Sequence, residues 1–230
     1  MIKTKEKNQE MIGNIYLSLN VLLAGVFPVV GKLALNKLDA ITVLAGGTFF
    51  AFIYFAIIIT IKKEWRQLKN IESKKDIFWA IFIIGFLYQI FYFIGLNATT
   101  PGNAVIISLS EIFFSYLFFH IWRKENFSIV ATAGLLLIAL GVVIVLSPKF
   151  NGFHYGDFLI LFAASIAPSG NYFQRKVRGK MCGNMLMLLR SFCGFIIFGI
   201  ISFLIPTKVS QNEITSALPL LIINGILMLG

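Results

Sequence analysis

The stretch that decides the fold is Asn103–Trp122, NAVIISLSEIFFSYLFFHIW, an almost unbroken apolar run with one carboxylate, Glu111, inside it. The run is 20 residues long, about the length that a helix needs to cross a bilayer core. A carboxylate at that depth costs on the order of 2.5–3.5 kcal/mol unless it faces water, a partner or a ligand. We therefore expect a membrane-spanning helix in which Glu111 has a specific role.

Composition places the whole chain in the same class. Hydrophobic residues make up 58% of the 230 positions and charged residues only 13%, a balance that a soluble domain of this size does not show. The net charge is +10, but the basic residues fall between apolar runs rather than in one patch, which argues against nucleic-acid binding. The two cysteines, Cys182 and Cys193, have no metal-ligand or disulfide spacing. No metal and no cofactor are expected.

Apolar runs divide the rest of the chain into further spans. The predicted fold is an all-α polytopic helical membrane bundle, with an eighth run that starts at residue 217 and covers only 14 residues to Gly230. Because a crossing helix needs about 20 residues, we expect this run either to be re-entrant or to be an incomplete span. The seven full spans are predicted at 14–35, 40–61, 77–96, 103–122, 127–146, 157–175 and 185–205.

The loop charges predict the orientation. Of the 20 Lys and Arg residues, 15 lie in the tail 1–13 and in the loops after spans two, four and six, whereas the alternate loops hold three. By the positive-inside rule, this asymmetry places residues 1–13 and those loops in the cytoplasm. The expected location is the inner or plasma membrane.

A weak internal repeat relates the two parts of the chain. A shift of 143 residues aligns Gly25 with Pro168, so spans one and six each have a helix breaker at a matched position, with Pro28 and Asn171 one turn later. Five spans per repeat is an odd number, so the second copy must be inverted in the membrane. We predict a first repeat at 14–148 and an incomplete second repeat at 156–230, parts of a ten-span fold.

Four segments carry a resemblance to a known family. FYFIGLNATTPGNAVIISLSEIFFSYLFF, GLLLIALGVVIVL and GVFPVVGKLAL, together with the start of the second repeat at 156–175, are similar to transporters of the EamA type in the drug/metabolite transporter superfamily. The resemblance implies a ten-helix, inverted-repeat exporter of small metabolites without covalent chemistry. Glu111 stands where the family usually carries Pro, which predicts a charge in place of a kink. The family's Arg in span two is replaced by Gly46 and Gly47, and Arg190 is its apparent counterpart in the second repeat.

The polar residues of span four are the first candidate site. Glu111 is predicted to share a helical face with Asn103, Ser108 and Ser115. The functional interpretation is a cavity carboxylate that binds a substrate amine or a coupling proton, and the structural one is an ion pair with Lys32 or Arg190. Arg190 itself either binds a substrate carboxylate or extends to the cytoplasmic interface, and we favour the interface.

Two further sets of candidate residues lie in spans one, three and six. Unwound backbone beside the matched helix breakers would form a ligand site, the alternative being ordinary proline kinks. The candidates there are Asn20, Pro28, Ser165, Ser169 and Tyr172. In span three, Tyr88, Gln89 and Tyr92 either line a cavity for flat solutes or simply pack. The small-residue pairs Gly47/Ala51 and Ala163/Ala167 are expected to permit close helix packing.

These observations favour a secondary-active transporter, an exporter of a small metabolite or drug-like solute by alternating access. Three alternatives remain open: an intramembrane enzyme, for which the sequence has no Ser-His or His-Glu-x-x-His constellation, a lipid-linked-sugar flippase, and a non-transporting assembly subunit. The expected partners are the lipid bilayer and a small-molecule substrate, with a homodimer left open.

Overall fold

A computed structural model describes residues 2–69, 73–123, 129–146, 154–205 and 210–229, and all statements below concern these residues. Eight helical segments account for almost all of them, and no strand occurs among them. They are α1 (Ile2–Leu35), α2 (Ala40–Lys62), α3 (Lys74–Asn97), α4 (Pro101–Ser108 continued by Ser110–Arg123), α5 (Ile129–Leu146), α6 (Tyr155–Arg178), α7 (Gly183–Leu204) and α8 (Gln211–Leu229).

The helices match the predicted apolar runs, with differences at two ends. α1 begins at Ile2, within the predicted tail, and α8 begins at Gln211, before the predicted start at residue 217. By length and apolar composition four of the described helices can cross a membrane: Ala40–Lys62, Lys74–Asn97, Pro101–Ile121 and Gly183–Leu204. The apolar segments Leu22–Leu35 and Thr132–Ile144 are shorter. The all-helical membrane architecture is confirmed, and the ten-span inverted repeat stays a prediction.

Side chains cap the first turns of α2 and α4. The Asp39 carboxylate accepts hydrogen bonds from the backbone N–H groups of Ile41 and Thr42, both at 3.0 Å, and so satisfies free donors at the start of α2. Thr100 caps α4 in the same way, with Pro101 in the first turn where its missing N–H costs nothing. At the other end of α3, the Lys32 ammonium donates to the carbonyls of Leu96 (3.0 Å) and Asn97 (2.6 Å).

The packing places α6 and α2 at the centre of two groups of helices. α6 lies against α3 and α4, and α2 lies between α7 and α8. The middle of α3, Ile81–Tyr88, is a π-helical segment that contacts both α6 and α7 and so joins the two groups. α1 packs against α8, and α5 lies beside α4.

The buried apolar residues form two clusters, one toward each end of the helices. The larger joins the ends of α1, α3 and α7 to the starts of α2, α4, α6 and α8, with Phe93, Leu96, Ile107 and Phe198 among its members. The smaller joins the end of α2 to the starts of α3 and α7 and includes Phe55, Ile59, Met185 and Leu186. Polar residues such as Thr48, Tyr88, Glu111, Asn171 and Arg190 lie nearer the middles of their helices, between the two clusters.

Close helix contacts depend on small residues. A Cβ added at Gly225 of α8 would lie 2.5 Å from the Gly47 carbonyl oxygen and 3.1 Å from the Ala51 nitrogen of α2. This confirms the close packing predicted for the Gly47/Ala51 pair. At the start of α6, a Cβ on Gly156 would collide with the Gly95 carbonyl oxygen and would lie 2.8 Å from the carbonyl carbon of Ala98.

We predict that Gly156→Ala lowers the thermal unfolding temperature of the purified protein in detergent. The new methyl group meets backbone rather than a flexible side chain, so α3 and α6 must separate, and overpacking of this kind costs about 1–3 kcal/mol. The matched control is Gly199→Ala in α7, where an added Cβ has nothing within 4 Å. Equal unfolding temperatures for the two variants would contradict this account.

Hydrogen bonds join the segment after α2 to the start of α7. After α2, Lys63 adopts φ 55° and turns the chain into a short 3₁₀ helix, Glu64–Lys69. The Gln67 side-chain oxygen accepts from the Cys182 backbone N–H at 2.9 Å, and the Cys182 thiol donates to Glu64 Oε2 at 3.2 Å. Burial raises the pKa of the Cys182 thiol, and the Glu64 carboxylate raises that pKa further because it disfavours a neighbouring thiolate.

Glu64→Gln is therefore expected to shift the pH profile of Cys182 alkylation. Removing the carboxylate removes a negative charge that opposes thiolate formation, so the midpoint moves to lower pH. The measurement uses a Cys193→Ser background. It follows the rate of maleimide labelling from about pH 7 to about pH 10, the range around an ordinary thiol pKa. A higher plateau rate with an unchanged midpoint would mean that Glu64 only shields the thiol, which would contradict the electrostatic account.

Candidate functional site

The helix of span four is interrupted immediately before Glu111. α4 ends its first part at Ser108 and resumes at Ser110, with Leu109 in a turn between them. The Ser108 hydroxyl donates to the Ala104 carbonyl and the Ser110 hydroxyl to the Ile107 carbonyl, both at 2.6 Å. Serine hydroxyls that bond to the preceding turn bend helices. α4 therefore carries the charge of Glu111 beside a one-residue interruption at Leu109, and the replacement of a kink by a charge stays a prediction.

Glu111 is bound across the bundle by α6. The Asn171 side-chain amide donates to Glu111 Oε1 at 2.7 Å, and both residues are partly buried. A hydrogen bond to a carboxylate in such surroundings offsets part of the cost of burying the charge. Lys32 is not the partner of Glu111, because its ammonium donates to the α3 carbonyls described above, so that alternative from the sequence is wrong.

Aromatic rings of α3 lie beside this pair. The rings of Tyr88 and Tyr92 stack with their centroids 5.7 Å apart, and Tyr92 in turn stacks on Phe27 of α1 at 5.6 Å. Tyr88 lies within electrostatic range of Glu111, and Ser108 lies near the Tyr92 hydroxyl. The structure thus brings together three of the predicted groups: the carboxylate, the tyrosine pair and Ser108.

Arg190 approaches the same region from α7. Its side chain is buried, with 9% of its surface exposed, and lies across the glycine of the π-helical segment. A Cβ added at Gly85 would be 2.7 Å from the Arg190 Cγ. Tyr88 lies within electrostatic range of Arg190 as well as of Glu111. The stem of Arg190 thus packs against the middle of α3, and the extension of its guanidinium to the cytoplasmic interface stays a prediction.

The π-helical segment of α3 shapes this region. Ile81–Tyr88 winds more widely than an α-helix, a geometry found often at functional sites. Its contact with α6 is tight at Gly170, where an added Cβ would lie 2.7 Å from Ile84 Cδ1. Helix α6 thus packs closely on α3 at Gly170, while the next residue, Asn171, bonds to Glu111 of α4.

Two predicted site residues are buried with an unsatisfied polar atom. The Gln89 Oε1 and the Asn103 Nδ2 have no hydrogen-bond partner among the described residues, although their side chains are only 4% and 5% exposed. Such groups are rare in folded proteins, because an unmade buried hydrogen bond costs about 1–3 kcal/mol. They are candidates for contact with water or with a polar solute.

The remaining predicted residues are less closely connected to Glu111. The Ser165 and Ser169 hydroxyls donate to carbonyls of their own helix, Phe162 and Ile166, both at 2.7 Å. Tyr172 contacts the ring of Phe118 in α4, and Ser115 is partly buried in the same helix. The side chain of Asn20 lies outside the described residues.

The predicted unwinding at the helix breakers does not occur. Pro28 is buried within the continuous helix α1, and Pro168 within the continuous helix α6. The irregular backbone lies instead in α3, as the π-helical segment, and in α4, as the turn at Leu109. Sequence reasoning placed Asn171 one turn after a breaker but did not connect it with Glu111, and it did not find the role of Gly85.

The bundle and its polar middle define the class of protein: a polytopic membrane protein whose helices enclose charged and aromatic groups. The model of the EamA-like transporter family matches residues 11–147, more than half of the chain. The chain belongs to this family, and it is therefore a membrane transporter of the drug/metabolite superfamily. No curated protein matches its sequence.

The Glu111–Asn171 contact predicts a specific pattern of stability changes. Asn171→Asp places a second carboxylate where an amide donor stood, and two such groups at hydrogen-bond distance repel one another, so the unfolding temperature should fall. The double variant Glu111→Gln/Asn171→Asp reverses the roles of amide and carboxylate and should recover most of the loss. The measurement is thermal unfolding in detergent, with Asn36→Asp in an exposed turn as the control. A double variant that is no more stable than Asn171→Asp would contradict the contact.

Proposed function

We propose that this protein is a secondary-active exporter that moves a small metabolite or drug-like solute through its bundle by alternating access. The observation that carries the proposal is the position of Glu111, a carboxylate at a break in a membrane helix and hydrogen-bonded to Asn171 of another helix. Intramembrane carboxylates commonly mark substrate or ion pathways. In this proposal Glu111 binds the amine of a solute or a coupling proton.

The surroundings of Glu111 support a binding role. The stacked rings of Tyr88 and Tyr92 offer flat apolar surfaces, and aromatic faces also attract cations. Arg190 also lies within electrostatic range of Tyr88, so the region contains both a positively and a negatively charged side chain. The proposed site consists of Glu111 with Tyr88, Tyr92 and Ser108, while Gln89 and Asn103 supply polar atoms for hydrogen bonds.

Alternating access needs contacts that can exchange between two arrangements. The bond between Asn171 and Glu111 joins α6 to α4, and a solute amine or a proton on Glu111 competes for the same carboxylate oxygen. Binding of a solute amine or a proton to Glu111 therefore weakens one hydrogen bond between residues 11–147 and the part of the chain that follows them. The proposed orientation, with residues 1–13 in the cytoplasm, and the ten-span inverted repeat complete this picture.

The test is transport in proteoliposomes under an imposed pH gradient. Vesicles are loaded with a mixture of amino acids and aromatic monoamines, and the released solutes are identified by mass spectrometry. Glu111→Gln should reduce gradient-dependent release about tenfold or more, because a hydrogen bond to a charged group contributes about 1.5–3 kcal/mol and 1.4 kcal/mol corresponds to a factor of ten.

The control is Glu213→Gln, which changes an exposed carboxylate at the start of α8. A second readout is maleimide labelling of Ser108→Cys, which the transported solute should slow. Equal transport by wild type and Glu111→Gln, with no protection at position 108, would refute the assigned site. No solute release from wild type or from Glu213→Gln would refute the exporter proposal for these solute classes.

A further inference from the structure

An apolar groove runs along the outer surface of α2 toward its basic end. It is shallow and largely open, with a volume of about 330 Å³, and is lined by residues of that helix alone: Phe52, Ile53, Ala56, Ile57, Thr60 and Ile61. From residue 52 to residue 61 the helix rises about 14 Å, roughly half of a ~30 Å hydrocarbon core. The groove therefore has the length of one leaflet and suits a single extended acyl chain.

The 3₁₀ helix that follows α2 has one anchored side and one outer side. Its anchored side consists of Glu64 and Gln67, which bind Cys182, and Leu68, which packs against the smaller apolar cluster. Trp65 and Arg66 are exposed. Because the anchored side is held by α7, the backbone of these two residues is positioned at the end of the groove.

Trp65 connects the groove with the charged surface. Its indole Nε1 donates to the Thr60 hydroxyl at 3.1 Å, and Thr60 is itself part of the groove lining. Tryptophan prefers the membrane–water interface, where one end of the ring is apolar and the other is hydrated. Lys62, Lys63 and Arg66 are exposed around it, so three positive charges surround the point where an acyl chain in the groove would reach its headgroup.

We propose that this surface binds one anionic phospholipid, with an acyl chain in the α2 groove and the phosphate against Lys62, Lys63 and Arg66. The charge determines the occupant: the only nearby carboxylate among the described residues of this segment, Glu64, is turned toward Cys182 and Asn184, so the outer surface is uniformly positive. A zwitterionic headgroup gains less from such a surface than an anionic one. This site is separate from Glu111 and independent of the transported solute.

The test measures how closely each lipid approaches Trp65. In the full chain with Trp79→Phe and Trp122→Phe, Trp65 is the remaining tryptophan, and the protein is placed in phosphatidylcholine vesicles. Phosphatidylglycerol or phosphatidylcholine with brominated acyl chains is then added at equal mole fractions, and quenching of Trp65 fluorescence is recorded. The brominated phosphatidylglycerol should quench at much lower mole fractions than the brominated phosphatidylcholine.

Matched double variants separate a site from general attraction. Lys62→Gln/Arg66→Gln should weaken the apparent phosphatidylglycerol affinity by roughly thirtyfold, equivalent to about 1 kcal/mol per basic residue. Lys74→Gln/Lys75→Gln removes the same amount of charge from exposed positions at the start of α3 and should change the apparent phosphatidylglycerol affinity little. Equal quenching by both lipids, or equal weakening by both double variants, would overturn the proposal.

A second probe tests the groove itself. With Trp65→Phe and Ile57→Trp added, the fluorophore moves from the headgroup end into the groove lining, and mid-chain bromines on phosphatidylglycerol should still quench it preferentially. Preferential quenching at position 65 but not at position 57 would mean that only the headgroup is bound, and the acyl-chain part of the proposal would be wrong.

Discussion

A bilayer core supplies no hydrogen-bond partners, so each polar group between the helix ends must be satisfied within the protein or by what the protein carries. The bond from Asn171 to Glu111 is the central instance of this constraint. It joins α6 to α4, and the neighbouring Gly170 packs closely against α3. The Lys32 ammonium on the α3 carbonyls and the buried Thr99–Asp157 hydrogen bond meet the same demand nearer the helix ends.

The distribution of apolar packing has a related consequence. Each end of the bundle has its own buried cluster, and the polar residues lie between them. Contacts of Gly95 with Gly156 and of Gly47 with Gly225 bring helix backbones together in the part built around the larger cluster. The opposite end is joined through side chains, by the Lys176–Asp76 ion pair at 3.6 Å and by the bonds to Cys182. Close backbone contacts thus add to the side-chain hydrogen bonds at the end with the larger cluster.

Much of the fold could be predicted from sequence because its dominant signal is one-dimensional. A run of about 20 apolar residues predicts a crossing helix without any knowledge of its neighbours. The cost of a buried carboxylate likewise identified Glu111. Asn171 as its partner depends on which helices pack together, and that information is not contained in either helix alone. The same holds for Arg190, whose position depends on the missing side chain at Gly85 of another helix.

The irregular backbone was harder to predict. The π-helical segment has the sequence IFIIGFLY, which is apolar on every side of the helix. It therefore shows no polar–apolar periodicity from which a change of helix type could be predicted. For the prolines of α1 and α6 the sequence left open unwound backbone or ordinary kinks, and both helices continue through them. Neighbouring helices and small local adjustments can satisfy the backbone groups that a proline frees. In this chain the helix-breaking residues therefore do not mark the places where the backbone is irregular.

The interruption of α4 at Leu109 differs in kind from one made by proline. A proline ring removes a backbone N–H permanently, so the missing hydrogen bond cannot be restored in any conformation. In α4 the carbonyls of Ala104 and Ile107 accept from serine hydroxyls, and a rotation about one side-chain bond would release either of them. The covalent chain keeps every donor needed for a straight helix. The interruption beside Glu111 therefore involves two hydroxyl groups that can rotate, and not a fixed ring.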